Sequence, residues 1–137
     1  MIYLAAALPL APIAAHLAAD LRRHSIDCCS SWHDANPTIA DEAAMLQRDQ
    51  RALAARCFQE LHQATTVALL YGPPSGRVGS FLEAGYALGR GVPLLAAPTA
   101  PDVLLPSILL LPDARRFASV GDLWLHLLRT ERGRAAG

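Results

Sequence analysis

The chain of 137 residues contains no lysine: all twelve basic residues are arginine. A Schiff-base lysine and a phosphate-loop lysine are thereby excluded as chemical centres. Charge is scarce as well. Charged residues make up 18%, the formal net charge is zero and no long basic run occurs, which argues against a binder of polymeric nucleic acid. Cysteine is limited to Cys28, Cys29 and Cys57. An odd number with a vicinal pair and no C-x-x-C spacing implies neither a disulfide framework nor a zinc site. These thiols read as free, in a reducing, cytoplasmic compartment. No segment reaches the ~20 uninterrupted apolar residues of a membrane span.

Apolar residues reach 53%, enough for a globular chain of one domain with a real core. The N-terminal stretch MIYLAAALPLAPIAAHLAAD is apolar and carries a signal-peptidase-like Leu17-Ala18-Ala19. It lacks a basic n-region and is interrupted by Pro9, Pro12 and His16, so a strand over Ile2–Ala7 and a helix to about His24 is the preferred reading. Leu10, Ile13, Leu17 and Leu21 form that helix's stripe. Ile26–Cys29 reads as a second strand, followed by the polar loop Ser30-Ser31-Trp32-His33-Asp34. Thr38 caps a long helix striped by Ile39, Ala43, Leu46, Leu53, Cys57 and Leu61. Val67–Tyr71 is a third strand, about Ser80–Arg90 a helix closed by Gly91, and Leu94–Ala97 a fourth strand. Ala100–Pro112 fits either a helical turn or an apolar strand. Arg115–Ala118 is a short fifth strand, and Ser119 and Asp122 cap a last helix whose frayed tail begins at Arg129.

Strands alternating with helices predict an α/β, doubly wound (flavodoxin/Rossmann-like) fold, with one domain over residues 1–128 and a tail over 129–137. The expected sheet is mainly parallel, five-stranded and ordered 2-1-3-4-5, with a cleft flanked by the loops after Ala7 and after Tyr71.

The stretch TVALLYGPPSGRVGSFLEAGYALGRGVP, residues 66–93, is the one to which chemistry attaches. A strand, a glycine-rich loop and a helix start present free backbone N–H groups above a sheet edge. Glu83 is expected in the first turn of that helix. It fits a capping box with Ser80. It also fits a nucleophile, since a fixed carboxylate can attack an electropositive sugar carbon. Trp32 suits either a base-stacking face or a loop anchor. His33 is either solvated or a proton donor. Arg77 is a loop charge or an anion clamp.

The segment from Gly79 to Pro93, GSFLEAGYALGRGVP, resembles the G-x-x-x-E-x-G-Y-A-x-x-x-G-x-P segment of the nucleoside 2-deoxyribosyltransferase-like proteins. Ile2-Tyr3-Leu4-Ala5 is similar to their first strand and Ser30-Ser31-Trp32 to the loop after their second. The resemblance implies cleavage or transfer at the N-glycosidic bond of a (deoxy)nucleoside or its 5′-monophosphate. It implies Glu83 as the nucleophile that forms a glycosyl-enzyme, with Tyr3 orienting it. Ser75, Arg77, Gly79, Trp32 and His33 become the substrate-binding set, and no metal or organic cofactor is called for. A homodimer or higher homo-oligomer is implied too, and the apolar run Val103–Leu111 suits one. The chain departs from the family at Thr65-Thr66, at Cys57 and at Arg77, each standing where carboxylates or a serine are usual. Two other readings accompany this one: a nucleotide-binding module without catalysis, and a phosphoribohydrolase whose P-G-G-x-G-T-x-x-E loop Pro73–Glu83 partly echoes.

Overall fold

The computed structural model describes residues 1–34, 43–73 and 78–135, with side chains to residue 131. Four strands form one parallel sheet: β1 (Ile2–Ala6), β2 (Thr66–Tyr71), β3 (Leu94–Pro98) and β4 (Ala114–Arg116), in the order β1-β2-β3-β4. Ile2 pairs with Thr66, Val67 with Leu94, and Leu94 with Ala114. Helix α1 (Ala11–Arg23) follows a 3-10 turn over Leu8–Leu10. Helix α2 (Gln47–Gln63) precedes β2, and α3 (Val78–Gly89) links β2 to β3. A 3-10 turn over Ser107–Leu110 precedes β4, and α4 (Val120–Ala135) ends the described chain. The α/β parallel sheet expected from the alternating pattern is therefore present.

Every residue of β1 and β2 is buried. Neighbouring strand residues point to opposite faces, so both faces of the sheet are covered. The helices supply the cover in two pairs. The His24 and Trp124 rings join α1 to α4, with centroids 5.4 Å apart. Phe58 and Tyr86 join α2 to α3 at 4.7 Å, and His62 Nδ1 lies 2.8 Å from the Tyr86 hydroxyl. Ala11, Ala14 and Ala18 carry α1 close against the sheet beside Leu17 and Leu21. The stripe is rotated from the expected one: Ile13 is exposed.

Among the described residues the sheet has four strands, where the sequence predicts five. The segment Ile26–Cys29 makes a single parallel bridge, Ile2 to Cys28. Ile2 N donates to Asp27 O and Cys29 N to Ile2 O, and there the ladder stops. Leu4 N donates instead to Ser30 Oγ at 3.1 Å, and Leu4 O accepts from Trp32 Nε1 at 2.8 Å. Side chains take the two backbone groups that a continuing strand would have used.

Two boundaries also differ. Helix α2 begins at Gln47, after Leu46 in an extended conformation with no side-chain cap. The expected cap Thr38 lies outside the described residues, as does Ile39. The segment Ala100–Pro112 takes the helical-turn alternative, a 3-10 turn over Ser107–Leu110, and not the strand. Helix α4 continues through Ala135, past the Arg129 at which fraying is expected. Its start is as expected: Asp122 N donates to Ser119 Oγ at 3.1 Å, and Ser119 Oγ donates to Asp122 Oδ2 at 2.8 Å. Among the described residues, no helix is long and apolar enough to cross a membrane.

Candidate active site

At the carboxyl end of β1 lies a cavity of about 370 Å³. Its walls are the β1 exit (Ala6, Ala7, Leu8), Trp32, one face of α2 (Gln50, Leu53, Ala54, Cys57) and the start of α3 (Gly79, Ser80, Glu83). The carboxyl ends of parallel strands are where ligands collect in open α/β sheets. Positions 50, 53, 54 and 57 share one helix face by the 3.6-residue period.

Among the described residues, Glu83 is the only carboxylate in this lining. It belongs to the second turn of α3, since the helix starts at Val78 and has no acidic residue in its first turn. The expected capping box with Ser80 is therefore not formed: Ser80 lies inside the helix and is buried. The carboxylate turns to the sheet, where the Tyr3 hydroxyl donates to Glu83 Oε1 at 2.7 Å. Burial raises the Glu83 carboxyl to about 7; the Tyr3 hydrogen bond opposes this and the nearby Glu60 charge adds to it. The helix start does not hold this carboxyl in the ordinary acidic range. Tyr3 is fully buried, and burial, reinforced by the Glu83 charge, holds its phenol far above the ordinary range, so it remains a donor.

Cys57 stands beside Tyr3 and Glu83. Burial pushes its thiol up to about 11, with the Glu83 and Glu60 charges adding to the rise. It is a neutral thiol at physiological pH. Cys28, Cys29 and Cys57 are all free and half-buried.

Trp32 is both wall and anchor. It is 8% exposed, its indole N–H is bonded to Leu4 O, and its ring lines the cavity. His33 is not solvated: it is fully buried, with its ring edge-on to Trp32 and centroids 5.4 Å apart. Nε2 lies 3.2 Å from Ser30 Oγ. Nδ1 is 3.3 Å from Asp34 Oδ1 without a hydrogen-bonding geometry. Burial lowers the His33 imidazole below its ordinary value, with the Asp34 charge opposing. His33 is absent from the cavity lining. Gly79 lines the cavity from the first turn of α3, where an added Cβ would meet nothing within 4 Å. Ser75 and Arg77 lie outside the described residues.

Of the expected site residues, Tyr3, Glu83, Gly79 and Trp32 converge and His33 stands behind them. Sequence reasoning did not single out Gln50 or Glu60. Glu60, 16% exposed, accepts from Ser31 N at 3.1 Å and from Ser31 Oγ. Its signal in the sequence is its place one turn beyond Cys57. Among the described residues, no group of three His, Cys, Asp or Glu is placed to hold a metal ion. No family model, curated protein or solved structure matches the chain.

Proposed function

We propose that the cavity is the active site of an enzyme of the nucleoside 2-deoxyribosyltransferase-like kind, cleaving or transferring at the N-glycosidic bond of a (deoxy)nucleoside or its 5′-monophosphate. The observation that carries this reading is the 2.7 Å bond from Tyr3 to Glu83 across 80 residues of sequence, at the wall of a cavity. It fixes one carboxylate oxygen and leaves the other for attack. In the proposed step that oxygen bonds to C1′, and the C1′–N bond breaks. The departing base takes the bonding pair and a proton from solvent, and the sugar remains as an ester on Glu83. Water or a second base then attacks C1′ and releases the carboxylate. Tyr3 is a positioning residue, and its donated bond favours the anionic nucleophile. The apolar walls at Leu53, Ala54 and Trp32 suit a flat base and sugar.

Ser75, Arg77 and Gly79 are proposed to hold the sugar or its 5′ end, where an arginine would grip a phosphate bidentately. The segment Ile26–Cys29 is taken as a vestigial edge strand, which makes the proposed topology a doubly wound 2-1-3-4-5. No cofactor or metal enters the step. A cytoplasmic setting suits the free thiols. A homodimer is proposed through the exposed Val78, Leu82, Leu104, Leu105, Leu110 and Leu111. Positions 78, 82 and 85 share one face of α3, and Ile108 stands 4.0 Å from where a Cβ at Gly85 would lie.

A second reading, a nucleotide-binding module without catalysis, is favoured by the lining's having, among the described residues, no carboxylate but Glu83. Incubation with mixed nucleosides and nucleoside 5′-monophosphates, read by chromatography, separates the two. Free base released by the native protein and not by Glu83→Ala supports the enzyme. Binding without release supports the module.

A further inference from the structure

The loop that supplies the Trp32 wall is held at two points. Its indole is tied to β1 through Leu4 O at 2.8 Å. Ser31, the residue before it, is tied to α2: its backbone N–H donates to Glu60 Oε2 at 3.1 Å and its hydroxyl to Glu60 Oε1. Arg56 Nε, one turn earlier, stands 4.0 Å from the same Oε1. The single S–H of Cys29 is shared between Ile2 O at 3.3 Å and Glu60 O at 3.4 Å. A largely buried carboxylate receiving two donors from one loop residue is a charge-assisted clamp, and a fixed one. The helix that carries Glu60 also carries Leu53, Ala54 and Cys57, which line the same cavity as Trp32.

We propose that Glu60 is a positioning residue of the cavity: by clamping Ser31 to α2 it sets the distance between the Trp32 ring and the α2 wall, and so the width of the slot that receives a flat ligand ring. The slot is then assembled from two segments far apart in sequence, and its width depends on one side chain outside it. This rests on the proposed function only for what fills the slot; the clamp itself stands on the geometry. Glu60 also acts at the reacting end. The groups facing Glu83 among the described residues are Tyr3 from β1 and Cys57 and Glu60 from α2, and Glu60 contributes a negative charge that favours the protonated carboxyl.

The chain holds two tryptophans, so Trp124→Phe leaves Trp32 as the sole reporter. In that background, Glu60→Ala is expected to increase acrylamide quenching of Trp32 several-fold and shift its emission to the red, with far-UV circular dichroism unchanged. Glu60→Gln, which keeps one acceptor, is expected to restore part of the protection. The Glu83 titration midpoint, followed by carboxyl 13C NMR, is expected to move down from about 7 in both. If Glu60→Ala does not fold, Glu60→Gln decides. Trp32 quenching in the folded variants equal to that of the Trp124→Phe parent overturns the proposal. These readouts need no turnover, so an inactive protein refutes the proposed function without touching the clamp. In an active one, Glu60→Ala raises KM and moves the rise of kcat/KM to lower pH together with the Glu83 midpoint.

Discussion

At the scale of single residues, Glu83 is held at a cost to the fold. A carboxyl raised from 4.5 to about 7 keeps its proton in the folded state over a range where the unfolded chain has lost it. Folding stability therefore falls as pH rises from about 4.5 through about 7. Glu83→Gln removes that dependence. It is expected to be more stable than the parent at pH 8, by an amount on the order of 3 kcal/mol, and about equal to it at pH 4. Urea unfolding at both pH values checks this; a Gln variant less stable at pH 8 would restore the capping interpretation. In the proposed reaction the same ionisation sets the rate. A nucleophile must be anionic, so kcat/KM should rise with pH through about 7 and level above it. A rate falling over that interval would mark Glu83 as a proton donor. Tyr3→Phe deletes the phenol that donates to Oε1, which should move that rise to higher pH and cost roughly 0.5–3 kcal/mol of stability. Both residues were legible in the sequence through the motif around Glu83 and the first-strand tyrosine. Glu60 was not, because its partner Ser31 is 29 residues away and a glutamate on a helix looks solvated until the loop is placed.

At the scale of elements, the strand-helix alternation was legible because apolar runs of four to six residues bounded by proline and glycine leave few alternatives. What escaped was local competition between side chain and backbone. Ile26–Cys29 has the composition of a strand, yet Ser30 and Trp32 capture Leu4 N and O and end the ladder after one bridge. The same capture places Trp32 in the cavity wall, so the lost strand and the formed site have one cause. The start of α3 escaped for a similar reason. Ser80 has the type of a cap and sits two residues inside the helix. Arg77, in the segment leading to α3, carries an expectation about the substrate. A nucleoside 5′-monophosphate should bind more tightly than the matching nucleoside, less so at high salt, and Arg77→Ala should erase the difference. Calorimetric titration of both ligands against both proteins measures it, and equal affinities in the native protein would contradict it.

At the scale of the whole molecule, the exposed leucines of the segment before β4 and of α3 bear on assembly. Leu104 is 77% exposed and Val78 76%, and an apolar patch of this kind on a small neutral chain favours self-association. Light scattering at micromolar concentration should give at least twice the chain mass of 14.6 kDa. Leu82→Arg should return the protein to the monomer mass without unfolding it. The central claim, that Glu83 attacks the sugar, is tested most directly by trapping the ester. Fluorine at the 2′-arabino position of a nucleoside disfavours the oxocarbenium-like transition state, which allows a glycosyl-enzyme to accumulate. Intact-mass spectrometry with a panel of 2′-fluoro-arabino nucleosides and their 5′-monophosphates should show one added fluoro-sugar on the native protein, mapped to the peptide containing Glu83, and none on Glu83→Gln. Base release without any adduct, or an adduct that persists in Glu83→Gln, would contradict it.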